Sequence, residues 1–250
     1  MYKIIFSGFI LFSSFLTFGQ VVGTPYIFNN IKFEFTIREV TSKTGKIWLD
    51  RNLGADRVAP RYSGQYGLGS YEAYYGDYYQ WGRSSDGHQK YNSSTYTSQA
   101  TSSNISFSDS WYGKFINYPT PDNYDYNWLN TQNDNLWQGV AGVNNPCPTG
   151  YRVPTQAEWF EEAKTWTTTS WTSSRLTQPT DAFNSVLKIP AAGQRTITGA
   201  LSQIGSDDLY WTSTIWGVRS FIIRLVPSNS IIFEDKCRAN GYPIRCIKNY

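Results

Sequence analysis

The sequence predicts an α+β fold, a twisted and largely antiparallel sheet with one or two helices and long loops, and three observations carry that prediction. Four runs that read as strands, at 209–214, 220–226, 230–233 and 243–248, follow one another with Gly, Pro, Asn and Asp turns between them. One block, from Pro148 to Lys164, reads as a turn, a short extended run and a capped helix. Between 84 and 135 the chain is rich in Ser, Thr, Asn, Tyr and Asp and shows no sustained period, the signature of long loops. At 250 residues the chain suits one domain.

Taken in chain order, the first element is a secretory signal peptide over 1–20. Lys3 gives the charged start, residues 4–18 the apolar centre, and Gly19-Gln20 the exit. An apolar run of about 15 residues, broken by Ser7, Gly8, Ser13 and Ser14, is too short to cross a bilayer. The remainder, 21–250, reads as a single domain. Ile31, Phe33, Phe35 and Ile37 alternate with Lys32, Glu34, Thr36 and Arg38, the period of a half-buried strand. The Lys43-Thr44-Gly45-Lys46 turn and a returning strand at 47–49 make this an opening hairpin.

The insertion at 84–135 buries little aliphatic surface, yet Tyr91, Tyr96, Phe107, Trp111, Phe115 and Trp128 give it rings enough to pack on the core. Next comes the densest signal in the chain. Pro148-Thr149-Gly150 has turn chemistry, Tyr151-Arg152-Val153 extends into Pro154, and Thr155 with Glu158 three residues on forms a capping box for a helix over 157–164. Residues 182–187 form a second short helical or turn segment, before the four strands.

The block around Arg152-Val153-Pro154-Thr155-Gln156-Ala157-Glu158-Trp159 resembles a signature of the formylglycine-generating-enzyme superfamily, a branch of the C-type-lectin-like fold. Gly45 to Ala55, Tyr75 to Arg83, Tyr210 to Thr214 and Gly241 to Lys248 look like the Fibrobacter succinogenes major paralogous domain of that superfamily. The resemblance implies a C-type-lectin-like fold over about 45–250. It also implies a bridge between Cys147 and Cys246, because in that fold a cysteine early in the core commonly joins one on the last strand. Export favours such a bridge, and Cys237 is then free or pairs with another chain. Trp48, Trp81, Trp159 and Trp211 fall inside the matching blocks and are expected to fill the core.

Composition and residue inventory argue against most chemistries. The net charge of +3, or +2 once Lys3 is removed, gives no basic face for nucleic acid. Formylglycine-generating members of that superfamily hold copper between two cysteines with four residues between them, whereas Cys237 and Cys246 have eight between them. The iron-dependent branch uses several histidines. This chain has only His88, in a polar stretch that reads as a solvated turn. A zinc site lacks ligands. The calcium motif of sugar-binding lectins is absent as well, Gln178-Pro179-Thr180 being the nearest approach. No catalytic residue, metal site or cofactor is therefore expected; an oxygen-lined structural calcium is the one ion for which the fold leaves room.

Residues 214–238 lie between two matching blocks and follow no clean alternation. In lectin-like proteins diversified by retroelements, this part of the fold carries variable ligand-contacting residues. Trp216, Arg219, Phe221, Arg224 and Phe233 are the candidate ligand-binding residues, since Trp, Phe and Arg are enriched at recognition surfaces. The expected function is that of a secreted or cell-surface, non-enzymatic protein that binds a glycan or protein ligand through its C-terminal loops, with no transmembrane segment after signal cleavage. Two other classes stay open: a divergent enzyme of the same superfamily, and a structural component of an extracellular assembly cross-linked through Cys237.

Overall fold

The computed structural model describes residues 21–22, 26–28, 31–33, 36–62, 71–118, 125–166, 179–226 and 230–250; the expected signal peptide lies outside the described residues. The chain is α+β with mostly antiparallel sheets and few helices. Its longest sheet is a meander of Asp208–Trp216, Arg219–Val226 and Ser230–Lys236, in that spatial order. Alternate residues of this meander enter two different cores. Tyr210, Ile223 and Leu225 meet Trp48, Trp159 and Ala163 on the helix side, whereas Leu209, Trp211 and Ile222 meet Trp81, Trp128 and Trp137 on the other. A sheet buried on both faces needs apolar residues at successive positions, which is why the central strand at 220–225 shows no clean alternation.

Two smaller four-stranded antiparallel sheets flank the meander. One sets Tyr151–Arg152, Ile247–Lys248, Ile47–Leu49 and Glu39–Thr41 side by side, and the other Leu201–Ser202, Gln194–Arg195, Gly241–Tyr242 and Tyr79–Gln80. The opening hairpin forms, but its first strand is Glu39–Thr41 rather than 31–38. The Ser42 N–H to Lys46 carbonyl bond and the positive φ of Gly45 close the turn, fixing Thr41 opposite Ile47 and Glu39 opposite Leu49. The alternating stretch instead folds locally: Ile31–Phe33 pairs back on Tyr26–Phe28, and Thr36–Ile37 on Val21–Val22.

Helix α1, Gln156–Lys164, begins one residue before the expected start. The Glu158 N–H donates to Thr155 Oγ1 at 3.2 Å and the Thr155 N–H to Glu158 Oε2 at 2.9 Å, completing the capping box. Arg152 adds two 2.7 Å bonds to the same carboxylate. Burial works against ionisation of Glu158, but these partners outweigh it and lower its pKa to about 2. Helix α2, Pro179–Asn184, lies slightly earlier than the expected second segment. Cys147 and Cys246 are bridged across 99 residues, beside the paired strands Tyr151–Arg152 and Ile247–Lys248. Among the described residues no helix is long and apolar enough to cross a membrane.

Much of the loop structure is tied by buried guanidinium groups. Arg195 donates to the carbonyls of His88, Lys90, Ser93 and Gly199, and Arg245 to those of Leu49 and Leu187 and to the Asn52 side chain. Arg83 reaches Lys114 and Trp111 carbonyls and Asp86. The insertion docks through Phe115, Ile116, Trp128 and Leu129, which are buried, whereas Phe107 is exposed.

Candidate binding site

The meander's first two strands meet in a two-residue loop, Gly217-Val218, because Trp216 pairs with Arg219. Gly217 has φ of 56° while Val218 stays at negative φ, the pattern of a type II′ turn that matches the twist of its strands. This tight turn projects Trp216, which is 63% exposed, and Val218. Phe221 lies on the same face, half-buried, with its ring centroid 5.7 Å from that of Trp216.

Polar contacts from the insertion lock the turn. The Arg219 Nε donates to Asp125 at 2.6 Å and its Nη1 to Asp235 at 3.1 Å. Gln132 donates to the Gly217 carbonyl at 3.0 Å and to Asp134 at 2.8 Å. Beneath the tip, buried Arg238 lies 4.3 Å from the Trp81 ring centroid and donates to Asp134 at 2.7 Å. It also reaches the carbonyls of Asn133, Gly217 and Arg219, each at 3.3 Å. Burial lowers the Arg238 pKa against the pull of Asp134, a cost that the set of charge-assisted bonds offsets.

Of the five expected ligand-binding residues, Trp216, Arg219 and Phe221 come together. Phe233 sits on the same sheet face but farther along, half-buried and packed on Phe160 of α1 at 6.1 Å. Arg224 does not join them. It projects from the opposite face of the meander, where its Nε and Nη2 donate to Asp207 and its Nη1 to Glu234. The reason is the two-residue strand period: 219, 221 and 223 point one way and 224 the other.

His88, Asp207 and Asp208 lie away from the hairpin tip. His88 is not in a solvated turn; it is fully buried, accepting the Gln80 N–H at Nε2 and lying 2.5 Å from Asp86 through Nδ1. Burial and the nearby Arg83 lower its pKa to about 3, despite Asp86, so it is neutral in the core. Asp207 is taken by Arg224 and Gln203. Asp208 is wholly buried, with neither oxygen making a hydrogen bond of normal geometry; burial and then Asp207 push its pKa well up, against a weaker interaction with the Tyr62 hydroxyl. Among the described residues no three His, Cys, Asp or Glu side chains gather as a cation would require. An open depression of about 540 Å³ beside Val140, Gly142, Asn145, Cys147 and Thr149 carries no charged side chain.

No protein-family model matches the chain, and no curated protein or solved structure matches it. The residues that sequence reasoning missed are Asp125, Gln132, Asp134, Asp235 and Arg238, which build the site around Trp216. Apart from the Gln132–Asp134 bond, their partners in the site lie from 16 to 105 residues away in the chain, so no local pattern marks the site.

Proposed function

We propose that this chain is a secreted or surface-exposed, non-enzymatic binding protein with a C-type-lectin-like fold, recognising a glycan or protein ligand at the tip of its Trp216–Arg219 hairpin. The observation that carries the reading is the exposed indole of Trp216 on a backbone fixed from below. A large ring left in water forfeits burial energy of about 2 kcal/mol or more. A ring held on a rigid turn makes that energy available to a ligand at little further ordering cost. The capping box at Thr155 and Glu158, the Arg152 clamp and the Cys147–Cys246 bridge support the fold assignment.

The test is a binding screen of the chain against glycan and protein arrays and intact cells, followed by alanine substitutions. Trp216→Ala, Arg219→Ala and Phe221→Ala are expected to weaken binding about 30-fold, the equivalent of about 2 kcal/mol at an interface hot spot, with the melting temperature nearly unchanged. Phe233→Ala and Arg224→Ala should instead lower the melting temperature. Binding that survives all three tip substitutions would move the site to the insertion at 84–135.

A further inference from the structure

We infer that the ligand is a neutral saccharide chain, one ring of which stacks on Trp216 while its hydroxyls bond the Asp125, Arg219 and Asp235 side chains. This rests on the binding reading above and deepens it. A pyranose presents an apolar face of C–H groups and an edge of hydroxyls. Its binding site therefore needs one accessible aromatic face with fixed donors and acceptors beside it.

The hairpin tip has that combination. Trp216 and Arg219 are a directly opposed cross-strand pair, which brings their side chains to the same face, roughly 5 Å apart at Cβ. Phe221 lies behind the indole, so that of this pair Trp216 is the ring presented to solvent. Arg219, Asp125 and Asp235 are 31%, 39% and 37% exposed, so all three are wet enough to meet a ligand. Asp125 uses Oδ1 and Asp235 uses Oδ2 to hold the guanidinium, and the second oxygen of each remains an acceptor. These bonds fix the carboxylates in advance, so that little side-chain freedom is lost on binding.

Charge selects among ligand classes. Among the described residues beside the ring, one guanidinium stands against two carboxylates, a local net charge of −1 that is unfavourable to a polyanion. A protein partner of standard size would cover about 800 Å² with an uncharged core. Here three ionised side chains stand next to the one exposed ring. A trimethylammonium or lysine ligand would call for rings on several sides, and among the described residues the tip presents one.

The experiment is native affinity electrophoresis of the disulfide-intact chain in gels containing soluble β-glucan, xylan, galactomannan, arabinogalactan or dextran, with polygalacturonate and alginate as anionic counterparts. Retardation is expected in at least one neutral gel, unchanged by 0.5 M salt as about one screened charge would dictate. Trp216→Ala should weaken it at least 30-fold, and Asp125→Ala and Asp235→Ala about fivefold each. Val186→Ala, an exposed residue outside the site, should leave it unchanged. Retardation that Trp216→Ala leaves intact, or that is confined to the anionic gels and abolished by salt, would overturn the inference. A chain that binds cells or proteins through Trp216 yet runs freely in every neutral gel would refute the saccharide while sparing the binding reading. A chain that binds nothing in either format would defeat both.

Discussion

Replacing Trp159 tests the helix-side core more sharply than any other single change, because two substitutions separate packing from hydrogen bonding. Trp159 is fully buried, with ring centroids 4.9 Å from Trp48, 5.7 Å from Tyr210 and 6.4 Å from Trp166. Among the described residues its indole N–H has no hydrogen-bond acceptor, and neither do those of Trp48 and Trp166. Trp159→Ala removes the ring and three aromatic contacts and should cost about 3 to 5 kcal/mol, the usual range for truncating a buried Trp. At about 2 to 4 °C per kcal/mol for a chain of this size, the melting temperature should fall by roughly 6 to 20 °C. Trp159→Phe keeps most of the packing and deletes a donor that was unsatisfied, so its cost should stay near 1 kcal/mol, within the range of a modest core cavity.

The matched pair in the other core should behave differently. The Trp211 N–H donates to the Tyr79 carbonyl at 2.7 Å, so Trp211→Phe strands a buried acceptor as well as leaving a cavity. That penalty adds about 1 to 3 kcal/mol. Denaturant melts of the four variants provide the assay. Equal costs for Trp159→Phe and Trp211→Phe would refute the claim that the two cores differ in how they use indole N–H groups. A loss of only a few tenths for Trp159→Ala would refute its burial.

Further predictions concern the thiols, a buried acid and an ion pair. Non-reducing peptide mapping should recover Cys147 linked to Cys246, and reduction should destabilise the chain by up to about 4 to 5 kcal/mol, the chain-entropy estimate for a loop of this length. The Cys237 thiol, whose pKa burial raises against the pull of the Tyr126 backbone and Arg219, should react with a thiol reagent more slowly in the native chain than after denaturation. Asp208 has a folded-state pKa above its unfolded value. Its contribution is therefore complete below about pH 4 and is lost as pH rises through the folded pKa. Asp207, Tyr62, Tyr75, Tyr210 and Arg245 are the titratable or charged neighbours coupled to it directly or through Tyr62 or Tyr210, and Asp208→Asn leaves them in place. The Asn variant's melting temperature should gain on that of the wild type as pH rises from 4; a constant difference would show Asp208 ionised throughout. Arg224→Ala should leave Asp207 and Glu234 without their shared guanidinium partner and lower the melting temperature at neutral pH.

What was legible in the sequence was local. The turn, cap and helix from Pro148 to Lys164 follow from contacts within a few residues, and the structure reproduces them to within one residue. The meander was visible as apolar runs between turn residues, though its faces were not. Yet the strand reading of 220–226 already puts Arg224 and Phe221 on opposite faces by its two-residue period, so grouping them in one site ran against that reading. The hairpin's first strand was misplaced because perfect alternation at 31–38 marks a strand without saying where it pairs. His88 was misread because its burial depends on Arg83 and Asp86 nearby and on Arg195, 107 residues away, which bonds its carbonyl. A polar sequence around a histidine looks solvated unless those partners are known.

The order of strands in the sheet that includes Ile247–Lys248 sets a timetable. That strand is the last of its sheet along the chain, yet it lies between Tyr151–Arg152 and Ile47–Leu49 and is bonded to both. Until it arrives, the two neighbours have no shared partner, Cys147 has no Cys246, and Arg245 cannot join Leu49 to Leu187. Pairings that span roughly 100 to 200 residues carry a loop-closure cost before any contact repays it, so this domain should fold slowly and as a whole. A chain lacking its final residues therefore leaves this sheet open, with Tyr151–Arg152 and Ile47–Leu49 unjoined.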